Sequence, residues 1–123
     1  MSYNEYFKPK LNELSGTDLL KFDMRCYKLG VGDFYRTHMD DYAGTIGCVY
    51  YINKRWSWDW GGILMLAEST ESEDMISIMP KNNRLVLINN QMKLPHCVTP
   101  VANYAKNDRF AIASFIGCDT PFK

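Results

Sequence analysis

No two of the four cysteines, Cys26, Cys48, Cys97 and Cys118, form a C-x-x-C pair, and all are widely spaced. That spacing excludes a zinc ribbon and a dense secreted disulfide framework. Reduced thiols are expected, with Cys26 and Cys48 serving as small apolar residues in strands. An excess of either charge is also missing: fourteen Lys and Arg balance fourteen Asp and Glu. No global field draws the chain to nucleic acid or to an anionic membrane, so neither partner is expected. Long hydrophobic runs are absent too. The longest, around "GGILMLA", is far too short to span a bilayer, and the first fifteen residues lack the apolar core of a signal peptide. A cytoplasmic protein is the expectation. Only two histidines are present, so any chemistry needing imidazole must use His38, His96 or both.

What is there reads as one domain over residues 1–123. Hydrophobic content of 46% and charged content of 23% are ordinary for a globular chain. Helical signal is confined to residues 1–20, where Pro9 interrupts "YFKPKLNEL" and Thr17 can N-cap one or two turns of "SGTDLLKF". From residue 21 to 117 the pattern shortens to period two. "KFDMRCYKL" sets Phe22, Met24 and Cys26 against Asp23, Arg25 and Tyr27, and "TIGCVYYIN" sets Ile46, Cys48, Tyr50 and Ile52 against Gly47, Val49 and Tyr51. Further strands are predicted at "DFYRTH", "GGILMLA", "MISIM", "RLVLIN", "HCVTPV" and "RFAIASFI", punctuated by Gly, Pro, Asn and Asp. Eight short strands with little helix give a mostly all-β fold, a sandwich or a jelly roll; periodicity does not choose between them.

In "YRTHMDD" a histidine and an aspartate stand two apart. On an extended strand His38 and Asp40 face the same side and can grip one ion. Two imidazoles and one carboxylate on one face of a divalent iron leave the opposite positions open. His96 can supply the third group from a distant strand. An H-x-D triplet also occurs by chance in polar turns, but both histidines are consumed by one site here, and each sits beside a predicted strand.

A second constellation lies in "NDRFAIASFI". Arg109 shares a strand face with Ala111 and Ala113, whose small side chains leave space. An inward guanidinium is costly unless it meets an anion; an arginine at the strand's start can equally sit at the rim in water. Tyr51, on the narrow face with Gly47 and Val49, either adds a hydrogen bond to the same anion or packs as an aromatic.

Taken in order, "CYKLGVGDFYRTHMD", "YYINKRW", "GGIL", "IMPKNNRLVLI", "PHCVTPV" and "DRFAIASF" make residues 26 to 117 similar to a known catalytic core. The chain resembles the prolyl 4-hydroxylase-like branch of the Fe(II)/2-oxoglutarate-dependent dioxygenases, especially the hypoxia-inducible-factor prolyl hydroxylases and their bacterial and viral relatives. The resemblance implies a double-stranded β-helix, a cupin-like jelly roll, in which His38, Asp40 and His96 hold Fe(II). It further implies that Arg109 and Tyr51 bind the distal carboxylate of 2-oxoglutarate and that Tyr27 lies near its metal-binding end. Val49 and Val98 would line the cosubstrate pocket, and Tyr35 would stand near the iron where substrate enters. The implied reaction uses O2, with ascorbate as reductant, to hydroxylate an unactivated C–H bond while 2-oxoglutarate becomes succinate and carbon dioxide. The carboxylate of Asp40 favours hydroxylation over halogenation.

Within "RWSWDWGG", packing is the first expectation for Trp56, Trp58 and Trp60. Relatives cover a polypeptide substrate with a loop near this one, which makes Trp58 a candidate substrate contact by stacking. Several positions depart from the family pattern. Residues 102 to 108 lengthen the interval from His96 to Arg109, Ala113 replaces a hydrogen-bonding threonine, and Gly44 stands where the oxygen-sensing enzymes contact substrate through arginine. The short N-terminal segment leaves apolar surface for a homodimer or another partner. A peptide or protein substrate, prolyl first, is expected, with two alternatives: a free amino acid or small molecule as substrate, and a noncatalytic jelly-roll binding module.

Overall fold

The computed structural model describes residues 21–40 and 45–117, together with Glu13. The expected N-terminal helices, the loop containing Gly44 and Cys118 lie outside the described residues. Among the described residues eight strands follow one another: β1 (Lys21–Leu29), β2 (Tyr35–His38), β3 (Thr45–Tyr51), β4 (Leu64–Leu66), β5 (Ile76–Ile78), β6 (Leu85–Asn89), β7 (His96–Val98) and β8 (Arg109–Gly117). Each falls within a segment of alternating or β-branched residues, apart from one-residue differences at its ends.

The strands form two four-stranded sheets, ordered β1-β8-β3-β6 and β2-β7-β4-β5. Every pairing within them is antiparallel. Strands consecutive in sequence mostly lie in different sheets, so the chain winds back and forth across the sandwich. This winding decides the question that periodicity left open: the fold is the double-stranded β-helix, a jelly roll.

Between the sheets Leu29, Leu64, Leu66, Ile88, Val98 and Val101 form a buried apolar cluster. It occupies one part of the interior. The rest surrounds the cavity described below, which is lined by side chains from both sheets.

Three expectations need correction. "HCVTPV" is a strand only to Val98, because Pro100 has no N–H to donate and Thr99 turns its hydroxyl to accept from the Ile63 amide at 2.9 Å. Val101 resumes with a single bridge to Gly61. "GGILMLA" narrows to Leu64–Leu66, since Gly61 and Gly62 adopt positive φ of 71° and 63° and cannot continue a strand. Cys26 is exposed beside Met24 on the outer face of β1, whereas Cys48 is buried as expected. Met24 and Cys26 lie exposed while Tyr27 lines the cavity.

One element was not anticipated, a single 3-10 turn at Asn90–Met92. Asn89 caps it by accepting from the Gln91 amide at 3.0 Å, and Lys93 ends it in the left-handed region.

Candidate metal and cosubstrate site

The last residue of β2 and the first of β7 are register partners, His38 opposite His96. Cross-strand partners project to the same face of a sheet, so the two imidazoles meet with ring centroids 4.4 Å apart. Asp40, two residues past His38, turns its carboxylate toward both. One oxygen lies 3.1 Å from His96 Nε2 and the other 3.8 Å from His38 Nε2. One ligating atom from each of the three residues falls within 4.8 Å of the others.

Both rings are oriented by the same device. His38 Nδ1 lies 2.7 Å from the Arg36 carbonyl, and His96 Nδ1 lies 2.8 Å from the Leu94 carbonyl, each acceptor two residues upstream. A carbonyl only accepts, so Nδ1 carries the proton and donates. The Nε2 lone pairs are thereby left pointing at the Asp40 carboxylate, as in metal-ligating histidines. Lone pairs this close repel unless a cation lies among them. Octahedral coordination at roughly 2.1 Å places neighbouring ligand atoms about 3 Å apart, close to the His96 separation. The donor set and its spacing therefore fit a divalent metal ion. His96 is buried while the His38 side chain is 45% exposed, so one side of the cluster is open to the surroundings.

Deeper in the same cavity stands Arg109, only 3% exposed. The alternative of a solvated arginine at the rim is excluded. Its Nε donates to the Gly62 carbonyl at 2.7 Å, and Nη2 donates to the Tyr51 hydroxyl at 3.4 Å. Its guanidinium carbon also lies 5.1 Å from the centre of the Tyr51 ring. No carboxylate among the described residues pairs with it. Burial accordingly lowers the pKa of Arg109, with Tyr51 and Tyr35 opposing the shift. Burial raises that of Tyr51, and the neighbouring guanidinium partly offsets it. Both directions describe a buried cation, with donor capacity to spare, facing a cavity.

The cavity is about 260 Å³ and joins the two constellations. Val49 and Val98 form opposing walls, one from each sheet. Tyr27 and Tyr35 line it as an edge-to-face pair with centroids 6.1 Å apart. Tyr35 is 37% exposed, at the side nearer solvent. Its pKa is raised by burial and by Tyr27, against the pull of Arg109. Ala111 sits between Tyr27 and Tyr51 in the register, and Ala113 between Arg25 and Val49. Their missing side-chain atoms are part of what keeps the interior open.

Trp58 is the one site residue that the structure does not bring to this cavity. It is 81% exposed on the loop after β3, and neither packs as expected nor lines the triad. Trp60 is buried, and Trp56 meets it edge-to-face at 5.3 Å.

Residue-by-residue reading overlooked Gly62. Its carbonyl fixes Arg109, and a Cβ there would come within 2.8 Å of the Arg109 Cδ. The glycine doublet before an apolar run was the available signal. Leu64 and Ile88 also line the cavity and were legible only as core.

Comparison with known proteins agrees with this geometry. A family model described as the 2OG-Fe(II) oxygenase superfamily matches residues 22–117. No curated protein matches the chain. Among solved structures, a Pseudomonas putida prolyl-4-hydroxylase aligns with a TM-score of 0.75 and 21% identity, over 93% of this chain and 61% of that one. A Trichoplax adhaerens prolyl hydroxylase, in complex with a hypoxia inducible factor oxygen degradation domain peptide fragment, aligns at 0.63 and 27% over 80% and 45%. A Phytophthora capsici prolyl 4-hydroxylase aligns at 0.67 and 19% over 96% and 40%. The chain thus spans less than two thirds of the length of each of these. With the family model covering most of the sequence and a donor set that fits iron, the chain belongs to the 2OG-Fe(II) oxygenase superfamily.

Proposed function

We propose that the chain is an Fe(II)- and 2-oxoglutarate-dependent hydroxylase of a residue within a polypeptide, proline being the first substrate to test. One observation carries the reading. A three-donor cluster and a buried guanidinium without a carboxylate partner among the described residues open onto one cavity. The peptide complex of the Trichoplax relative supports a polypeptide substrate.

Bound iron with 2-oxoglutarate and O2 supplies the oxidising power, coupling decarboxylation of the keto acid to succinate with oxygen insertion into a C–H bond. The residues of the chain bind, orient and exclude. His38, Asp40 and His96 would hold the metal, each through one donor atom. Arg109 and the Tyr51 hydroxyl anchor the distal carboxylate of 2-oxoglutarate in a site removed from water, where charge-assisted hydrogen bonds are strong. Val49 and Val98 confine the carbon chain, and Tyr27 flanks its metal-proximal end. Tyr35, half out of the cavity, meets the incoming substrate.

The test measures succinate formed from 2-oxoglutarate with Fe(II) and ascorbate, with and without proline-containing peptides. Peptide-stimulated succinate is expected, lost in His38→Ala, Asp40→Ala and His96→Ala and retained in Arg84→Ala, whose guanidinium bonds to the Met79 carbonyl and does not line the cavity. Stimulation by free amino acids but not peptides would move the substrate to small molecules. Iron binding with no turnover on any substrate would overturn the hydroxylase reading in favour of a binding module.

A further inference from the structure

A second concavity, of about 520 Å³, lies one strand away from the triad. Leu66 joins the two: on β4 it is the register partner of His96 on one side and of Ile76 on the other. Two strand spacings place the Ile76 backbone about 10 Å from that of His96. The floor is apolar and exposed. Ile76 is 68% exposed, Met92 62% and Met75 48%, although Ile76 is the only one of the three within a strand. Leu94, whose carbonyl orients the His96 ring, lines the same groove.

Its rim is acidic. Glu68, Glu73 and Asp74 line it, and Glu71 is exposed on the same loop. From residue 56 to residue 80 the sequence has no lysine or arginine. Across the groove, Lys93 is the one basic residue on the bordering segment 92–94. Flanking this groove, β5 ends its sheet, and the side of the strand away from β4 pairs with no other strand among the described residues. An exposed edge of that kind accepts an extended peptide through main-chain hydrogen bonds, while side-chain pockets select its sequence.

We infer that this groove docks the polypeptide substrate, and that the substrate segment carries an apolar residue flanked by lysine or arginine. Exposed Ile76, Met75 and Met92 take the apolar side chain, the carboxylates of Glu68, Glu73 and Asp74 select basic neighbours and repel acidic ones, and the β5 edge holds the backbone extended. A segment seated there lies within a few residues' reach of the metal cluster. The inference rests on the reading of the triad cavity as the site of a peptidyl hydroxylase, and adds to it the chemistry of the sequence surrounding the modified residue.

Two short fluorescein-labelled peptides test it by anisotropy with the full chain. They share a central proline and one leucine, and differ in having lysines and arginines or aspartates and glutamates around them. The basic peptide is expected to bind about tenfold more tightly, with the preference shrinking as salt is raised. Combining Glu68→Gln, Glu73→Gln and Asp74→Asn should abolish the preference without changing the melting temperature, and Ile76→Ser should weaken both peptides. Equal binding of the two peptides, or a preference that survives the triple substitution, overturns the inference. Succinate assays on the same peptides separate the two ideas. Charge-selective docking without turnover of any substrate removes the hydroxylase and keeps the groove, whereas turnover indifferent to flanking charge removes the groove and keeps the hydroxylase.

Discussion

At the scale of single residues, the glycines that matter most are those that hold another side chain in place. Gly62 has φ of 63°, and its missing Cβ makes room for the Arg109 stem at what would be 2.8 Å. Gly32 has φ of 83°, but a Cβ there would meet nothing within 4 Å. The pair separates backbone strain from steric displacement. Gly32→Ala is expected to cost about 1–2 kcal/mol, the usual penalty of a left-handed alanine, and to leave 2-oxoglutarate affinity unchanged. Gly62→Ala should cost more and also weaken 2-oxoglutarate by about tenfold or more, because the guanidinium must shift. Thermal melts and calorimetric titration of 2-oxoglutarate onto the metal-loaded protein check both. Equal affinity in the two variants would show that Arg109 does not depend on Gly62. The triad was legible at this scale because histidine is scarce in the chain and a strand's period of two makes H-x-D one-sided. Gly62 was not, because its role depends on a residue 47 positions away.

At the scale of elements, strands were legible because alternation and turn residues are local, and the eight predicted segments each overlap an observed strand. Their ends were less so. Pro100 and the positive-φ glycines truncate strands through hydrogen bonds and torsions that periodicity does not weigh. Which face of β1 points inward was also hidden, since alternation names two faces, and the cavity takes Tyr27 while Met24 and Cys26 lie exposed. Asn53 shows how the ends are tied. Buried just beyond β3, it accepts from the Phe110 amide at 2.6 Å and donates to the Pro80 carbonyl at 2.9 Å, linking the ends of β3 and β8 to the turn before β6. Asn53→Ala strands the buried Pro80 carbonyl, at about 1–3 kcal/mol, and the part-buried Phe110 amide, at less. A clearly lower denaturation midpoint is expected. Hydrogen exchange should quicken at Phe110 and its neighbours before the opposite end of β8, and uniform exchange along the strand would refute this local tie.

At the scale of the whole molecule, alkaline pH probes the buried acids together. Burial raises the Cys48 thiol from its ordinary value of 9.0 to about 11, with a hydrogen bond to Ser114 opposing the shift. It raises Tyr51 and Tyr35 as well. A raised folded value means that the unfolded chain loses its proton first, so the stability Cys48 contributes is full below about pH 9 and drains away as pH climbs through 11, and the two tyrosines add to the fall above their ordinary value of 10.0. Denaturant midpoints should be level up to pH 9 and fall beyond it, and Cys48→Ala should flatten part of that fall.

A guanidinium at 3% exposure without a carboxylate partner among the described residues carries an uncompensated desolvation cost, which the proposed binding of an anion would offset. Replacing a buried charge by an apolar side chain of similar length is often neutral or stabilising, whereas truncating a buried residue usually costs several kcal/mol. Arg109→Met should therefore leave the ligand-free protein within about 1 kcal/mol of the original, the lost bond to the Gly62 carbonyl offsetting the relief of a desolvated cation. The difference should emerge on adding ligand. With metal bound and 2-oxoglutarate at one hundred times its dissociation constant, the original chain should gain about 2.7 kcal/mol of stability by mass action. The methionine variant should gain almost none from 2-oxoglutarate while still responding to the metal alone, since His38, Asp40 and His96 are untouched. Melting curves across the four combinations of chain and ligand give the outcome directly. A large 2-oxoglutarate shift in Arg109→Met would mean that the anion is held elsewhere, and the buried arginine would then have to be explained by packing against Tyr51 alone.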